Sequence, residues 1–299
     1  MTTKTIIFVP GKNPKPPAKQ HRDLLWRTLQ EGVRRANPEV GQAFIEQQKQ
    51  FHLVAWNSLY YHESKDISRD LPWIDKLIHE HGPSQDDIAQ AQHWHRKLDR
   101  FLFNIADHMH FIIRFLPKPV HDTIYETNRY FQNKDNIACE IRELLKQELR
   151  PLLNQSQKVL LIGHSLGSVI AYDTLWELSH EETVKDKVDL FLTLGSPLGM
   201  NYVQRRLQGY DLRNSKRFPT CIRHWANVAS VGDVTALDRE FHNDFGEMTK
   251  LGLLESLNDH CQGIFNFYHN EEGLNCHRSY GYLVNPAVGE IIADWWRQN

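Results

Sequence analysis

Long apolar runs are absent from this sequence, and none approaches the roughly 18 residues that a membrane-spanning helix requires. The apolar run near the start, Ile6–Val9, is too short for the core of a signal peptide, and no small-residue cleavage site follows it. The 4 cysteines form no C-x-x-C pair, which favours reduced thiols. We therefore expect a cytoplasmic protein without a transmembrane segment.

The sequence also lacks an excess of charge of either sign. Its 35 Lys and Arg residues and 37 Asp and Glu residues give a formal net charge of -2. A nucleic-acid partner is therefore not expected. Hydrophobic residues make up 40% of the 299 residues, so the chain can bury the core of one large domain and still carry a sizeable insertion.

Short apolar runs alternate with segments of helical periodicity along much of the chain. We predict strands at residues 6–9, 52–56, 158–162, 189–194, 221–228 and 264–268. Helices are predicted at residues 21–36, 136–149, 167–178 and 286–297, and Pro151 is expected to end the second of these. The alternation predicts an α/β fold with a mostly parallel sheet that helices cover on both faces.

Residues 58–133 interrupt this alternation and show no strong strand pattern. Two helices are predicted there, at residues 85–96 and 98–115. We therefore divide the chain into a core, residues 1–57 and 134–299, and a helical insertion, residues 58–133. The many aromatic side chains of the insertion could line an acyl pocket as a cap or lid, or they could only pack the insertion onto the core.

The segment Gly163-His164-Ser165-Leu166-Gly167 has the G-x-S-x-G pattern of a nucleophile elbow. The pattern alone is weak evidence, but here a predicted strand runs directly into it and a predicted helix follows at once. At such a turn the serine hydroxyl stands exposed above the sheet, and the two glycines allow the strand and helix backbones to come close. Ser165 is therefore the predicted nucleophile.

A serine nucleophile needs a base, and the base needs a carboxylate that orients it. After a nucleophile elbow the acid comes next in the chain and the histidine comes last. Asp233, just after a predicted strand, is the predicted acid, with Asp238 as the alternative. His277, shortly before the C-terminal helix, is the predicted base, with His260 and His269 as the alternatives.

Backbone N–H groups must also stabilise the negative charge that develops on the substrate oxygen. One donor is predicted to be Leu166, directly after the nucleophile. The second donor is predicted in the loop after the first strand, and the residues leave open whether it is Lys12 or Gly11. The Gly-Lys pair is not part of a phosphate-binding loop, because the G-x-x-x-x-G-K spacing is absent.

Four segments of the chain resemble α/β-hydrolase lipases and esterases: residues 8–11, 163–173, 193–199 and 277–283. The second is similar to the elbow of intracellular lipases and phospholipase A1-like esterases, and the fourth to the catalytic-histidine loop of related bacterial hydrolases. The first departs from the His-Gly form that is common in the family. The resemblance covers residues 4–56 and 135–299, and it implies an α/β-hydrolase fold of about six strands that lacks the two usual N-terminal antiparallel strands.

The predicted function is hydrolysis of a carboxylic ester, in a small molecule or a lipid, through an acyl-enzyme on Ser165. No cofactor and no metal ion are expected. A thioesterase or an acyltransferase would use the same triad, and an inactive binding protein could keep the fold alone. The pairs His79/His81, His93/His95 and His108/His110 raise a further hypothesis, a metal-dependent hydrolase, which is disfavoured for the last two pairs because residues two apart on a helix face different ways.

Overall fold

The computed structural model describes residues 4–93, 127–182, 184, 186–233, 235–236 and 240–298. Its central sheet contains the strands β1 (Lys4–Val9), β2 (Phe51–Leu53), β3 (Lys158–His164), β4 (Val188–Leu194), β5 (Ile222–Val228) and β6 (Ser256–His260). They lie in the order β2-β1-β3-β4-β5-β6, and each neighbouring pair is parallel. A short antiparallel pair, β7 (His269–Asn270) and β8 (Gly273–Leu274), lies outside this sheet.

Helices connect and cover the strands. They are α1 (Ala18–Ala36), α2 (Pro38–Phe44), α3 (Asn57–Tyr61), α4 (Leu71–His79), α5 (Gln85–Gln92), α6 (Ile137–Asn154), α7 (Leu166–His180), α8 (Asn201–Gln204), α9 (His242–Lys250), α10 (Ser279–Leu283) and α11 (Pro286–Arg297). Short 3-10 helices lie at Ile45–Gln50, Lys134–Asn136 and Asn214–Arg217. Within the described ranges, no helix combines the length and the apolar character needed to cross a membrane.

Successive side chains of each strand point to opposite faces of the sheet, which divides the core into two layers. On one face, Ile7, Leu161 and Phe191 pack in a cluster with apolar side chains of α6 and α7. On the other face, Phe8 and Ile162 pack with side chains of α1 and α11. Because both faces are covered, the central strands are apolar at nearly every position, which confirms the predicted α/β-hydrolase fold.

Two predicted elements differ from the structure. The last strand was expected at residues 264–268, but β6 lies at Ser256–His260. This edge strand is polar and only half-buried, so its sequence lacks an apolar pattern, whereas residues 264–268 contribute buried side chains to the core without forming a strand. In addition, Pro151 does not end α6, which continues to Asn154. The proline lies in the last turn, close to the helix end.

The described part of the insertion packs onto the core. In α4, Ile74 and Leu77 are buried in the layer that contains α1. Tyr60 and Tyr130 are buried in the opposite layer, with α6 and α7. Helix α5 confirms most of the first predicted helix of the insertion, whereas the second, at residues 98–115, lies outside the described residues together with His95, His108 and His110.

Candidate active site

Ser165 lies at the sharp turn between β3 and α7. Its backbone has φ 53 and ψ -128, a strained conformation for a residue other than glycine. Its N–H donates to the carbonyl of Leu194, the last residue of the neighbouring strand β4, over 3.0 Å. The hydroxyl of Ser168, one turn into α7, donates to the Ser165 carbonyl over 2.6 Å. These bonds hold the strained turn at the carboxyl edge of the sheet.

The two glycines of the motif are required by close backbone contacts. A methyl group at Gly163 would lie 2.6 Å from the Cα atom of Ser168. A methyl group at Gly167 would lie 2.1 Å from the carbonyl oxygen of Val9, the last residue of β1. Both distances are far below van der Waals contact, so any side chain at these positions would push α7 away from the sheet.

Asp233 and His277, the predicted acid and base, are in contact near this turn. The Nδ1 atom of His277 lies 2.8 Å from Oδ2 of Asp233, whose side chain is fully buried. The same carboxylate oxygen accepts a hydrogen bond of 2.6 Å from the hydroxyl of Tyr282, and the other accepts one of 2.8 Å from the backbone N–H of Thr235. Because the aspartate accepts from Nδ1–H, the Nε2 atom of neutral His277 is left able to accept a proton.

The surroundings keep this aspartate ionised. Burial raises the pKa of Asp233, but the contact with His277 and the hydrogen bonds from Tyr282 and Thr235 outweigh burial, so that the pKa is lowered overall. Burial raises the pKa of Tyr282 well above its usual value, and the Asp233 charge adds to this effect. The tyrosine therefore stays protonated and remains a donor to the carboxylate.

Gly195, directly after β4, makes room for the pair. Its φ is +55, and a methyl group there would lie 2.6 Å from Oδ2 of Asp233 and 3.1 Å from Nδ1 of His277. Its N–H donates to the carbonyl of Val228, the last residue of β5, over 2.9 Å. A residue with a side chain would therefore have to displace either the acid or the histidine.

His164 connects the serine turn to the loop that carries His277. Its Nε2 atom donates to the backbone carbonyl of His277 over 2.8 Å, and the two rings lie 4.8 Å apart between centroids. Burial lowers the pKa of His164 well below its usual value, and the proximity of His277 and Lys15 lowers it further, so this ring is neutral. The described hydrogen bonds include none between the Ser165 hydroxyl and His277. Such bonds often form only in the substrate complex.

The loop after β1 approaches Ser165 from the other side. A methyl group at Gly11 would lie 2.8 Å from the Cβ atom of Ser165. Side chains that follow β2 bind the carbonyls of this loop: Trp56 Nε1 donates to Pro10 over 2.8 Å, and Asn57 Nδ2 donates to Gly11 over 2.9 Å. Because the peptide bonds of this loop, like the others in the described residues, are trans, each N–H points opposite to the preceding carbonyl. The N–H groups of Gly11 and Lys12 therefore point away from Trp56 and Asn57.

The other predicted site residues are the oxyanion donor Leu166 and the alternatives to the proposed acid and base. Leu166 is the first residue of α7, where a backbone N–H has no acceptor within its own helix. His260 ends β6, and Nε2 of His269 lies 2.6 Å from Asp87 of α5 rather than near Asp233. Asp238 lies outside the described residues.

Within the described part of the chain, no group of three or more His, Cys, Asp or Glu side chains could hold a metal ion. His79 belongs to one of the predicted histidine pairs. Its Nδ1 atom lies 2.7 Å from the backbone carbonyl oxygen of Asp75.

Four residues of this site are absent from the sequence prediction: Tyr282, Gly195, His164 and Asn57. Two of them could have been found from the sequence around them. His164 lies within the elbow motif, and Gly195 follows an apolar strand directly. Tyr282 and Asn57 could not, since their roles depend on contacts with residues 49 and 46 positions away in the chain.

Comparison with known proteins found no match among curated proteins and none among solved structures. One family model matches, over residues 127–211, and its description is lecithin:cholesterol acyltransferase. This segment contains α6, β3, the Ser165 turn, α7 and β4, so it includes the proposed nucleophile but neither Asp233 nor His277. The match supports an enzyme that acts on acyl lipids. Over this part of its length, the chain is similar to the lecithin:cholesterol acyltransferase family of α/β-hydrolase-type lipases.

Proposed function

We propose that the protein is a serine hydrolase that cleaves a carboxylic ester with a lipid-like acyl group, with Ser165 as nucleophile, His277 as base and Asp233 as the orienting acid. The observation that carries the proposal is the 2.8 Å contact between His277 Nδ1 and the buried Asp233, beside a strained serine turn. A buried carboxylate oriented on a histidine at the end of a parallel sheet is the arrangement that activates a serine.

The reaction has two steps. In the first, the Ser165 hydroxyl attacks the ester carbonyl while His277 Nε2 takes its proton, and the same histidine then protonates the leaving alcohol. Asp233 stabilises the imidazolium that forms in between. In the second, water attacks the acyl-enzyme by the same proton transfers in reverse. The N–H groups of Leu166 and of Lys12 or Gly11 stabilise the oxyanion in both steps.

An acyltransferase is the second candidate function, and the description of the matching family favours it. The chemistry is the same as far as the acyl-enzyme, which an alcohol then attacks in place of water. A long-chain alcohol acceptor, added to an ester hydrolysis assay, separates the two functions. A transferase forms the new ester at the expense of free fatty acid, whereas a hydrolase releases fatty acid at an unchanged rate.

The insertion is proposed to be a cap that borders the site. Helix α5 contacts both loops that carry the acid–base pair: a methyl group at Gly232 would lie 2.8 Å from the Ala91 carbonyl, and Ala91 shares a small apolar cluster with Cys276. These contacts support a role in covering the substrate, because Gly232 and Cys276 directly precede Asp233 and His277.

A fluorophosphonate probe tests the proposal. The probe should label the wild-type protein covalently and should fail to label Ser165→Ala. Ser68→Ala is the matched control, because Ser68 is exposed and its hydroxyl bonds only to the neighbouring Asp66. A folded wild-type protein that resists the probe and does not hydrolyse p-nitrophenyl esters would exclude the proposed function.

A further inference from the structure

Three basic side chains lie next to the proposed oxyanion loop: Lys15, Lys65 and Arg278, hereafter the basic cluster. The Lys65 ammonium and the Arg278 guanidinium both contact the same oxygen of Asp70, each over 2.6 Å. The Lys15 ammonium donates to the carbonyl of Lys12 over 2.7 Å, and the Lys65 backbone N–H donates to the Lys15 carbonyl over 3.0 Å. The Asp70 carboxylate thus contacts two cations, Lys65 and Arg278, and the third basic side chain, Lys15, contacts only a backbone carbonyl among the described residues.

This arrangement has one carboxylate for three basic side chains. Among the described residues, no carboxylate contacts the Lys15 ammonium. Burial lowers the pKa of Lys15 well below its usual value, and the nearby charges of Arg278, Lys65 and Lys12 lower it further, while Asp70 opposes them. The cluster therefore has three basic side chains and a single carboxylate. A second negative group would favour the charged form of Lys15 and relieve the repulsion among these side chains.

The cluster lies beside the reacting groups. Arg278 directly follows His277, and the carbonyl that binds the Lys15 ammonium belongs to Lys12, one of the two proposed oxyanion donors. The charge of Lys15 also lowers the pKa of His164, which directly precedes Ser165. The basic cluster thus lies on the same loops as the proposed base and one of the proposed oxyanion donors.

Unpartnered polar groups accompany the basic cluster. The hydroxyl of Tyr280, a residue that is 1% exposed, has no hydrogen-bond partner among the described residues. The same holds for Nε of Arg278, whose guanidinium lies 5.3 Å from the Tyr280 ring centroid. Buried polar groups without hydrogen-bond partners are rare in folded proteins, and an ion that binds them is one explanation. Both groups are donors, and an anion would accept from them.

We propose that the basic cluster, together with Tyr280, binds an anionic group, a phosphate or a carboxylate, on the ester substrate. The inference rests on the proposed function and deepens it, since it selects esters with a negative charge over neutral ones. Phosphate and carboxylate both match the donor set, because guanidinium and ammonium groups donate N–H hydrogen bonds to either anion. A purely structural role, in which the cluster only fastens the loops around His277, is the alternative outcome.

Matched substrates test the proposal. The wild-type protein is assayed with 1-oleoylglycerol 3-phosphate and with 1-oleoylglycerol, and in a second arm with p-nitrophenyl hydrogen adipate and p-nitrophenyl hexanoate. In at least one arm, we expect a kcat/KM for the anionic ester about tenfold above that for its neutral partner. Lys15→Gln should remove most of this preference, read as the ratio of the anionic to the neutral kcat/KM within the same variant, so that any general loss through the Lys12 carbonyl cancels. Lys19→Gln, an exposed lysine nearby, is the control and should keep the preference.

A binding measurement gives an independent readout. Inorganic phosphate should raise the Tm of the wild-type protein, and Tyr280→Phe should reduce that increase, although it removes only a hydroxyl without a partner in the protein. A purely structural tyrosine would not change the response to phosphate. If phosphate stabilises the protein but neither substrate arm shows a preference, the cluster binds a free anion and the substrate assignment is rejected.

The two proposals fail in different ways. Hydrolysis of the neutral and anionic esters with equal kcat/KM, with no loss in Lys15→Gln, would overturn the anion subsite and leave the serine hydrolase intact. Failure to hydrolyse any ester would instead reject the proposed function.

Discussion

Asn57 provides the sharpest test of the oxyanion loop. Its Nδ2 atom donates to two carbonyls of that loop, Gly11 over 2.9 Å and Asn13 over 3.0 Å, and the residue is 2% exposed. Asn57→Ala removes both bonds. The peptide between Gly11 and Lys12 is then free to rotate, and with it the Lys12 N–H that we propose as an oxyanion donor.

The expected cost follows from these contacts. Two hydrogen bonds to buried or half-buried carbonyls contribute about 1 kcal/mol each to the free energy of unfolding, so Asn57→Ala should lose about 2 kcal/mol. A loss of this size lowers the Tm by about 3 °C in a chain of 299 residues, since the unfolding entropy is about 2.1 cal/mol/K per residue. Misplacement of one oxyanion donor costs about 100-fold or more in kcat, which corresponds to about 2.7 kcal/mol of activation free energy. The kinetic effect should thus be at least as large as the effect on stability.

The assay is hydrolysis of a p-nitrophenyl ester, with kcat and KM measured separately and the Tm measured by calorimetry. KM should change little, because the ground-state carbonyl depends less on the donor than the transition state does. Ser58→Ala is the matched control: the hydroxyl of the adjacent residue bonds to Ala55, not to the loop. An Asn57→Ala protein with the lower Tm but a wild-type kcat would refute the reasoning, because the loop would then be held without this side chain.

Three further variants test the acid–base pair and the buried core. Tyr282→Phe removes a 2.6 Å hydrogen bond to Asp233, and it should lower the kcat/KM for a chromogenic ester about tenfold with the protein still folded. Gly195→Ala should abolish most activity, whereas Gly252→Ala, with a similar φ of +70 but open space around it, should cost only the backbone strain, about 1 kcal/mol in urea unfolding. Burial raises the pKa of Asp173 to about 6, so wild-type stability should fall as the pH rises from about 4 to about 6, by up to about 3 kcal/mol, and urea titrations of Asp173→Asn should lack this decline.

Local patterns in the sequence predict the part of the fold that is buried on both sides. Strands β3 and β4 appear as continuous apolar runs because helices cover both faces of the sheet there. The Ser165 turn follows from the glycine spacing next to such a strand. The same principle explains the error at the sheet edge: β6 has few buried side chains, so nothing in its composition separates it from a loop.

Contacts between distant residues lie beyond this kind of prediction. Chain order and the neighbouring predicted elements point to Asp233 and His277, but only the structure shows that they lie within 2.8 Å of each other across 44 positions. The same approach could not find Tyr282 or Asn57, because a tyrosine or an asparagine in a loop has no periodic pattern. Their roles follow only from the three-dimensional arrangement of the strand ends.

Those strand ends explain how the candidate site is held. The strands are parallel, so the residues that follow them meet at one edge of the sheet. Backbone hydrogen bonds fix several of these residues to the next strand: Ser165 to the end of β4 and Gly195 to the end of β5. The backbone N–H of His277, in contrast, donates to the side-chain Oδ1 of Asn275, a neighbour in its own loop, over 3.1 Å.

The histidine is therefore positioned mainly by side chains: its ring by Asp233 and its carbonyl by His164. A hydrogen bond from the Ser230 hydroxyl to the Cys276 carbonyl, 3.0 Å long, adds one further link between the acid loop and the histidine loop. Side-chain contacts of this kind are lost by single substitutions, whereas the backbone bonds at Ser165 are not. We conclude that His277 is the member of the proposed triad most easily displaced, and we expect substitutions around it to lower activity before they lower stability.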